Sequence, residues 1–321
     1  MTAVRHRPVF VGEALGLLAP RSGGLYVDGT VGDAGHTREL LAHSAPLGRV
    51  VGFDRDAEAL ARARGHLLSE GALDEAEAGE PATELAPLRA GQRLALVHQN
   101  YAQLAETLAG AGMGGADGIL LDLGVSTLQL LDPERGFSFR GEGPIDMRMN
   151  RDVGHDEPTA MDVLLGLDEK ELESVLREYG EERFARRIAS CLVRARDAGT
   201  LKTTRDLEQL VYQATPPKAR FGPIHPATRT FQALRIATNR ELDHLTATLA
   251  SLPGALAPGG TAVVLTYHSL EDRLCKQAFR AAAKRGEVTD LTKRPLRPLE
   301  AEVDQNPRAR SAKLRAIRRP A

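Results

Sequence analysis

Five short apolar runs, each leading into polar or acidic residues, constrain this chain most. They cover residues 25–28, 49–53, 94–97, 118–121 and 262–265. They are too short for helices, and their continuous apolar character suits strands buried on both faces. Turns or helical patterns follow them, so the spacing predicts an α/β fold with a parallel sheet and helices on both faces. In such sheets ligands lie outside the carboxyl ends of the strands. Candidate functional residues are therefore those that follow each run.

About 140 residues separate the fourth run from the fifth, too many for a loop in a compact domain. Three stripes there have helical spacing: Leu172, Val175, Leu176, Tyr179; then Phe184, Ile188, Cys191, Leu192; then Leu207, Leu210, Val211, Ala214, ended by Pro216 and Pro217. They predict an inserted helical domain over 133–226, which splits the sheet domain into 1–132 and 227–321. Residues 227–252 predict one long helix returning to the sheet. Residues 69–92, rich in Ala, Glu, Gly and Pro, predict a mobile surface insertion without chemistry.

Charges nearly cancel, 42 basic against 43 acidic. That excludes a uniformly basic coat for nucleic acid but not a local basic face. Residues 284–321 hold eleven Lys/Arg against five Asp/Glu, which reads either as a solvated tail or as a contact for a polyanion. Only two cysteines occur, Cys191 and Cys275, so neither a disulfide framework nor a Cys-rich zinc site is expected, and no metal. The expected location is a reducing cytoplasm. Glu13 interrupts the only apolar stretch near the N-terminus, and no apolar run is long enough to span a bilayer.

The first run enters Asp28-Gly29-Thr30-Val31-Gly32-Asp33-Ala34-Gly35-His36. This glycine turn lacks both the G-x-G-x-x-G dinucleotide spacing and the P-loop pattern. The second run ends at Asp54, 22 residues after Gly32. An acid there either accepts hydrogen bonds from both ribose hydroxyls or, like Asp56, caps the next helix. Turn and acid together favour an adenosine-containing ligand without a pyrophosphate. After the third run comes Tyr101, whose ring either packs on adenine or is a surface aromatic. After the fourth comes Asp122, either facing the reacting centre or capping a turn. After the fifth, Ser269 with Asp272 reads as a capping box, while His268 is either a substrate contact or a structural histidine.

The order of these features resembles the class I S-adenosylmethionine-dependent methyltransferases, Rossmann-like sheets that here would carry an inserted helical domain. Longer runs narrow the resemblance: His6-Arg7-Pro8-Val9, Asp122-Leu123-Gly124-Val125-Ser126, Glu134-Arg135-Gly136-Phe137-Ser138-Phe139, Pro144-Ile145-Asp146-Met147-Arg148-Met149, Tyr179-Gly180-Glu181-Glu182-Arg183-Phe184-Ala185, His225-Pro226-Ala227-Thr228-Arg229-Thr230-Phe231-Gln232, His268 to Arg273, and Asn306-Pro307-Arg308-Ala309-Arg310-Ser311. They resemble the bacterial 16S ribosomal RNA cytosine-N4 methyltransferases of the RsmH/MraW type over nearly the whole chain. The resemblance implies S-adenosylmethionine contacts at Ala34, Gly35, His36, Asp54, Tyr101, Asp122 and Gln129. It implies methylation of a cytidine amine in the decoding, P-site region of 16S RNA, within the small subunit or a late assembly intermediate. The family usually has Gly where Ala34 stands, and Phe where Tyr101 stands. The insertion at 69–92 is longer than usual.

For the chemistry, Asp122 and nearby backbone carbonyls are the expected acceptors beside the amine, with His268 as a proton acceptor or orienter. The Asn/Asp-Pro-Pro-aromatic motif of other amino-methyltransferases is absent. Phe137, Phe139, Arg140 and Arg148 are expected at the cytidine pocket or its rim, with a small core under the insertion as the alternative. Other functions weighed are a non-catalytic ribosome-assembly factor and a methyltransferase for DNA or a small molecule. No membrane partner is expected, and the chain acts as a monomer or homodimer.

Overall fold

The structure is a computed structural model describing residues 8–151, 157–222 and 224–321, so His6 and Arg7 of the first family run lie outside the described residues. Seven strands form one sheet: β1 (Leu25–Asp28), β2 (Arg49–Asp54), β3 (Leu94–His98), β4 (Ala116–Asp122), β5 (Leu256–Thr266), β6 (Thr289–Asp290) and β7 (Lys313–Arg318). Their order is β3-β2-β1-β4-β5-β7-β6. The first five pair in parallel, and β7 lies antiparallel to both β5 and β6. Val27, Val50, Val51, Ile119, Val263 and Val264 are fully buried between helices on both faces, as the continuous apolar runs predict. Strand order reverses at β1, so the crevice for a ligand lies at the carboxyl ends of β1 and β4.

The tail is not a solvated appendage. Residues 284–321 supply β6 and β7, which no apolar run had announced. Two of the tail's charges are used internally: Lys313 Nζ and the buried Arg315 Nε lie 2.9 and 2.7 Å from the two oxygens of Asp272. The insertion is also structural. Residues 78 and 82 bridge in parallel to β3, the Ala82 amide donates to the Leu96 carbonyl at 3.0 Å, and the His98 amide donates to the Ala82 carbonyl at 2.7 Å. Leu73 and Ala78 enter the core. The segment thereby covers the edge of β3, where unpaired backbone groups would otherwise invite aggregation.

The chain divides into two compact units, Met1–Gly124 with Leu242–Ala321, and Val125–Glu241. The expected long helix over 227–252 is two helices, Ala227–Asn239 and Glu241–Ala255, broken at Arg240 with φ 49. The first of them gives Ala227, Phe231, Ala233 and Leu234 to the core of the helical unit, so the helical unit reaches beyond residue 226. The predicted stripes are its helices Glu169–Gly180, Ala185–Asp197 and Thr204–Ala214. Loop 144–150, in which Met147 holds φ 57, is clamped from two sides. Buried Asn239 accepts from the Met149 amide at 2.8 Å and donates to the Met147 carbonyl at 2.7 Å and the Arg235 carbonyl at 2.9 Å. Buried Arg135 donates to the Met149 carbonyl at 2.8 Å. Among the described residues no helix is long and apolar enough to cross a membrane.

Asn239→Ala leaves the buried Met149 amide and Met147 carbonyl unpaired, at about 1–3 kcal/mol for each such group. We expect a loss of about 3 kcal/mol in the stability of the helical unit. Urea denaturation would report it, together with much faster hydrogen exchange at the Met149 amide.

Candidate active site

The turn after β1 is positioned by hydrogen bonds at each step. Buried Asp28 accepts from the Thr30 amide at 3.1 Å and from the Thr37 hydroxyl at 2.7 Å. The Gly29 amide donates to the Leu120 carbonyl at 2.8 Å. A Cβ on Gly29 would fall 2.3 Å from Leu121 Cδ2 and 3.3 Å from Tyr101 Cβ, so glycine is what lets the Leu121 side chain pack against the turn, with Tyr101 close beside it. Asn100 holds the start of the Tyr101 turn by accepting from the Ala102 amide at 2.9 Å. Gly32 sits at φ 50 and its amide donates to Asp54 Oδ2 at 2.8 Å.

The two readings of the acids after β2 separate cleanly. Asp56 is the helix cap, accepting from the Ala59 amide at 3.3 Å ahead of Ala57–Ser69. Asp54 is left facing the turn, with the Asp56 amide on Oδ1 at 2.9 Å and the Gly32 amide on Oδ2. A carboxylate oxygen has a second acceptor site, so each can still take one hydroxyl. Burial pushes the Asp54 carboxyl up to about 6, against the pull of those two amides.

Ala34 stands at φ 62, ψ 20, in the left-handed region, as N-cap of the helix Gly35–His43. Buried His36 places Nε2 3.6 Å from Asp122 Oδ2, beyond hydrogen-bond distance. Burial opposes the imidazolium, but the neighbouring Asp122 outweighs it and holds the pKa of His36 above the ordinary value. Burial also raises the pKa of Asp28, with His36 and Thr37 opposing. Among the described residues, Asp33 Oδ1 and His36 Nε2 are buried polar atoms without a hydrogen-bond partner. Buried polar groups normally find one. An acceptor and an imidazole left open at the end of β1, a diol-ready acid on β2 and a ring beside Gly29 fit a nucleoside with a charged amino-acid arm.

Asp122 ends β4. Its amide donates to the Thr30 hydroxyl at 2.7 Å, and its Oδ1 accepts from the Tyr267 hydroxyl at 2.7 Å. Burial and the adjoining Asp122 hold the Tyr267 phenol well above its usual pKa, so it stays a neutral donor. Sequence reasoning missed Tyr267 and fixed on its neighbour His268. The signal was parity: Leu265 pairs with Asp122, and residue 267, just past the end of β5, continues the same alternation. His268 is the N-cap of Ser269–Lys284 in a capping box with Glu271, its Nδ1 accepting from the Glu271 amide at 3.5 Å and its Nε2 lying 3.1 Å from Glu271 Oε1. The expected box of Ser269 with Asp272 is thus shifted by one residue, and Asp272 serves Lys313 and Arg315 instead. Glu271 Oε2 also accepts from the Tyr267 and His268 amides at 2.8 and 3.2 Å, which sets the backbone that aims Tyr267.

A separate cavity of about 270 Å³ lies at the opposite, amino ends of the strands, lined by Leu18, Tyr26 and Thr261. Arg21 pairs with Asp117 there at 2.7 Å, and Arg318 Nε donates to the Thr261 hydroxyl at 3.1 Å.

The other expected site residues belong to the helical unit. Gln129 forms a capping box with Ser126, its Oε1 accepting from the Ser126 amide at 3.0 Å. Phe137 is packed in that unit's core, the alternative the sequence left open. The Arg148 fork grips Asp146, with both hydrogen bonds at 2.9 Å. Phe139 is half-buried and stacked on His225, and Arg140 is exposed.

Comparison with known proteins matches residues 3–320 to the model of the MraW methylase family. The ribosomal RNA small subunit methyltransferase H of Sorangium cellulosum is 46% identical over 316 residues, covering 98% of this chain and 91% of that protein. Proteins of the same name from Synechococcus sp. and Geobacter sulfurreducens are 47% and 46% identical, covering 98% and 97% of this chain and 92% and 97% of theirs.

A left-handed alanine costs about 1–2 kcal/mol, partly offset because alanine restricts the unfolded chain more than glycine does. Ala34→Gly is therefore expected to raise stability by somewhat under 1 kcal/mol, a rise in melting midpoint of about 2 °C. An unchanged or lowered midpoint by calorimetry would show that Ala34 is unstrained.

Proposed function

The chain belongs to the MraW methylase family, and on that premise we propose that it transfers a methyl group from S-adenosylmethionine to the exocyclic N4 amine of one cytidine in the decoding, P-site region of 16S ribosomal RNA. The observation that carries this reading is the shared carboxyl edge: Asp54 at the end of β2 and Asp122 at the end of β4 flank the same glycine turn, joined to it through Gly32 and Thr30. The curated relatives are named for the small ribosomal subunit, which supports the substrate class.

S-adenosylmethionine supplies, when bound, an electrophilic sulfonium methyl. The chain's residues do the rest. Asp54 would hold the ribose diol, the Tyr101 ring would pack on adenine, and Asp33 and His36 would meet the amino-acid arm beside Ala34 and Gly35. Asp122 accepts a hydrogen from the cytosine amine. That draws the nitrogen lone pair out of conjugation and aims it along the line of displacement, where positioning can contribute about 7–11 kcal/mol. The amine proton released on methyl transfer would pass to Asp122. Tyr267, as a neutral donor to Oδ1, leaves Oδ2 for the amine. His268 caps a helix and takes no part in this scheme. The substrate is the small subunit or a late assembly intermediate, and the enzyme is a cytoplasmic monomer or homodimer.

Purified protein, methyl-labelled donor and small subunits lacking the modification should place label on N4 of a single cytidine. Label on DNA or a small molecule instead would reject the reading. Asp122→Ala should lower the rate at saturating donor at least a hundredfold. If assembly of the subunit survives that change and no transfer is found in the parent, a non-catalytic factor is the better description.

Tyr267→Phe removes a hydrogen bond to a carboxylate, worth about 1.5–3 kcal/mol. We expect kcat to fall roughly ten- to a hundredfold at unchanged donor affinity. As pH falls through 6, Asp54 takes up a proton and loses acceptor strength. Calorimetry should show donor affinity about tenfold weaker at pH 5 than at pH 7, and Asp54→Asn should flatten that dependence.

A further inference from the structure

The helical unit carries a column of flat side chains that the methyl-transfer scheme does not use. Phe139 and His225 stack with ring centroids 4.6 Å apart and planes at 25°. Tyr212, on the helix Thr204–Ala214, lies nearly parallel to His225 at 6.4 Å and 22°. The Arg220 guanidinium covers the Tyr212 ring at 4.7 Å. Phe221, next in the chain, is 85% exposed, and Ile224 is also exposed.

The planes are fixed in advance. Buried Phe231 meets Phe139 edge-on at 5.3 Å. Glu208 holds His225 with Oε1 3.3 Å from Nε2. Arg220 donates to the Thr215 and Gln213 carbonyls at 2.9 and 3.1 Å, which orients its face over the tyrosine. Lys218 and Arg220 bring positive charge to this end of the column, while Glu208 lies against His225 and Arg235 is paired with Glu241 at 2.8 Å. Rigid aromatic and guanidinium planes with Lys218 and Arg220 among them match how unpaired RNA bases are held, by stacking with phosphate neutralisation nearby. A protein-binding apolar patch would not need the guanidinium plane.

We propose that the column of Tyr212, His225 and Arg220, extended by Phe221, is a stacking platform for unpaired RNA nucleotides other than the methylated cytidine. The inference rests on the ribosomal RNA reading above and adds a second contact to it. Lys218 takes the phosphates, and the outer face of the Arg220 guanidinium and the exposed Phe221 ring take the bases, with Tyr212 and His225 as the stacked support beneath them. Such a platform selects single-stranded over duplex RNA, since paired bases hide their faces.

The test uses the full chain and a fluorescein-labelled 12-nucleotide single-stranded RNA, with a duplex of equal length as comparison. Fluorescence anisotropy should show tighter binding to the single strand. Phe221→Ser should weaken it about tenfold, the scale of one lost base–aromatic stack, and Tyr212→Leu, which removes the ring that seats Arg220, should weaken it as well. Donor affinity and melting midpoint should hold, and Phe221→Ser is the safer variant because its side chain is exposed. With small subunits, the KM of both variants should rise more than kcat falls. Unchanged binding of the single strand by both variants overturns the platform. So does intact RNA binding combined with lost binding to a ribosomal protein, which would make the patch a protein-docking surface. The binding arm reads RNA contact without methyl transfer. Failure of the parent protein to methylate subunits therefore counts against the proposed reaction and not against the platform.

Discussion

The turn after β1 is bound to both neighbouring strands, and the site depends on that binding. Gly29 donates to the β4 carbonyl of Leu120, and Val31 donates to the β2 carbonyl of Phe53 at 3.0 Å. Gly32 reaches the Asp54 side chain, and the Thr30 hydroxyl accepts from the Asp122 amide. The parallel register therefore determines where both acids stand. A turn free of these bonds would leave Asp54 and Asp122 on neighbouring strand ends with no common surface to serve.

The same edge shows how burial and hydrogen bonding divide labour among acids of one chemical type. Asp28 and Asp56 are spent on structure, one inside the turn and the other on a helix. Asp54 keeps acceptor capacity at the cost of a raised pKa. Asp122 is oriented from one side by a phenol that cannot readily ionise. In the helical unit Asp146 is held below the usual carboxylate range: its burial works the other way, but the Arg148 fork prevails. That pairing makes Arg148 a brace for loop 144–150.

Much of the sheet was legible in the chain. Each of the five apolar runs lies within a strand, because strands buried on both faces leave continuous apolar text. β6 and β7 were not legible. Lys313, Arg315 and Arg318 look like a basic tail until Asp272 and the edge of β5 are in place to receive them. The insertion was misread for a related reason. Ala, Glu and Gly give no strand signal, and residues 78 and 82 pair through backbone atoms that composition does not report. Among site residues, the identities of Asp54 and Asp122 were visible from their places after strands. His268 drew notice because a histidine at a strand end advertises chemistry, while a tyrosine one residue earlier does not.

By itself the sequence determined the alternation of strands and helices, the position of the long insertion, the acids that end β2 and β4, and the family resemblance. These are local or periodic properties, written in neighbouring residues. The tertiary structure alone decided which acid caps and which one faces the turn, that Ala34 adopts a left-handed conformation, and that Tyr267 rather than His268 holds Asp122. Those outcomes turn on contacts such as the one between residues 122 and 267, which are 145 positions apart. A separation of that size is closed only by the pairing of β4 with β5, and no local pattern carries it.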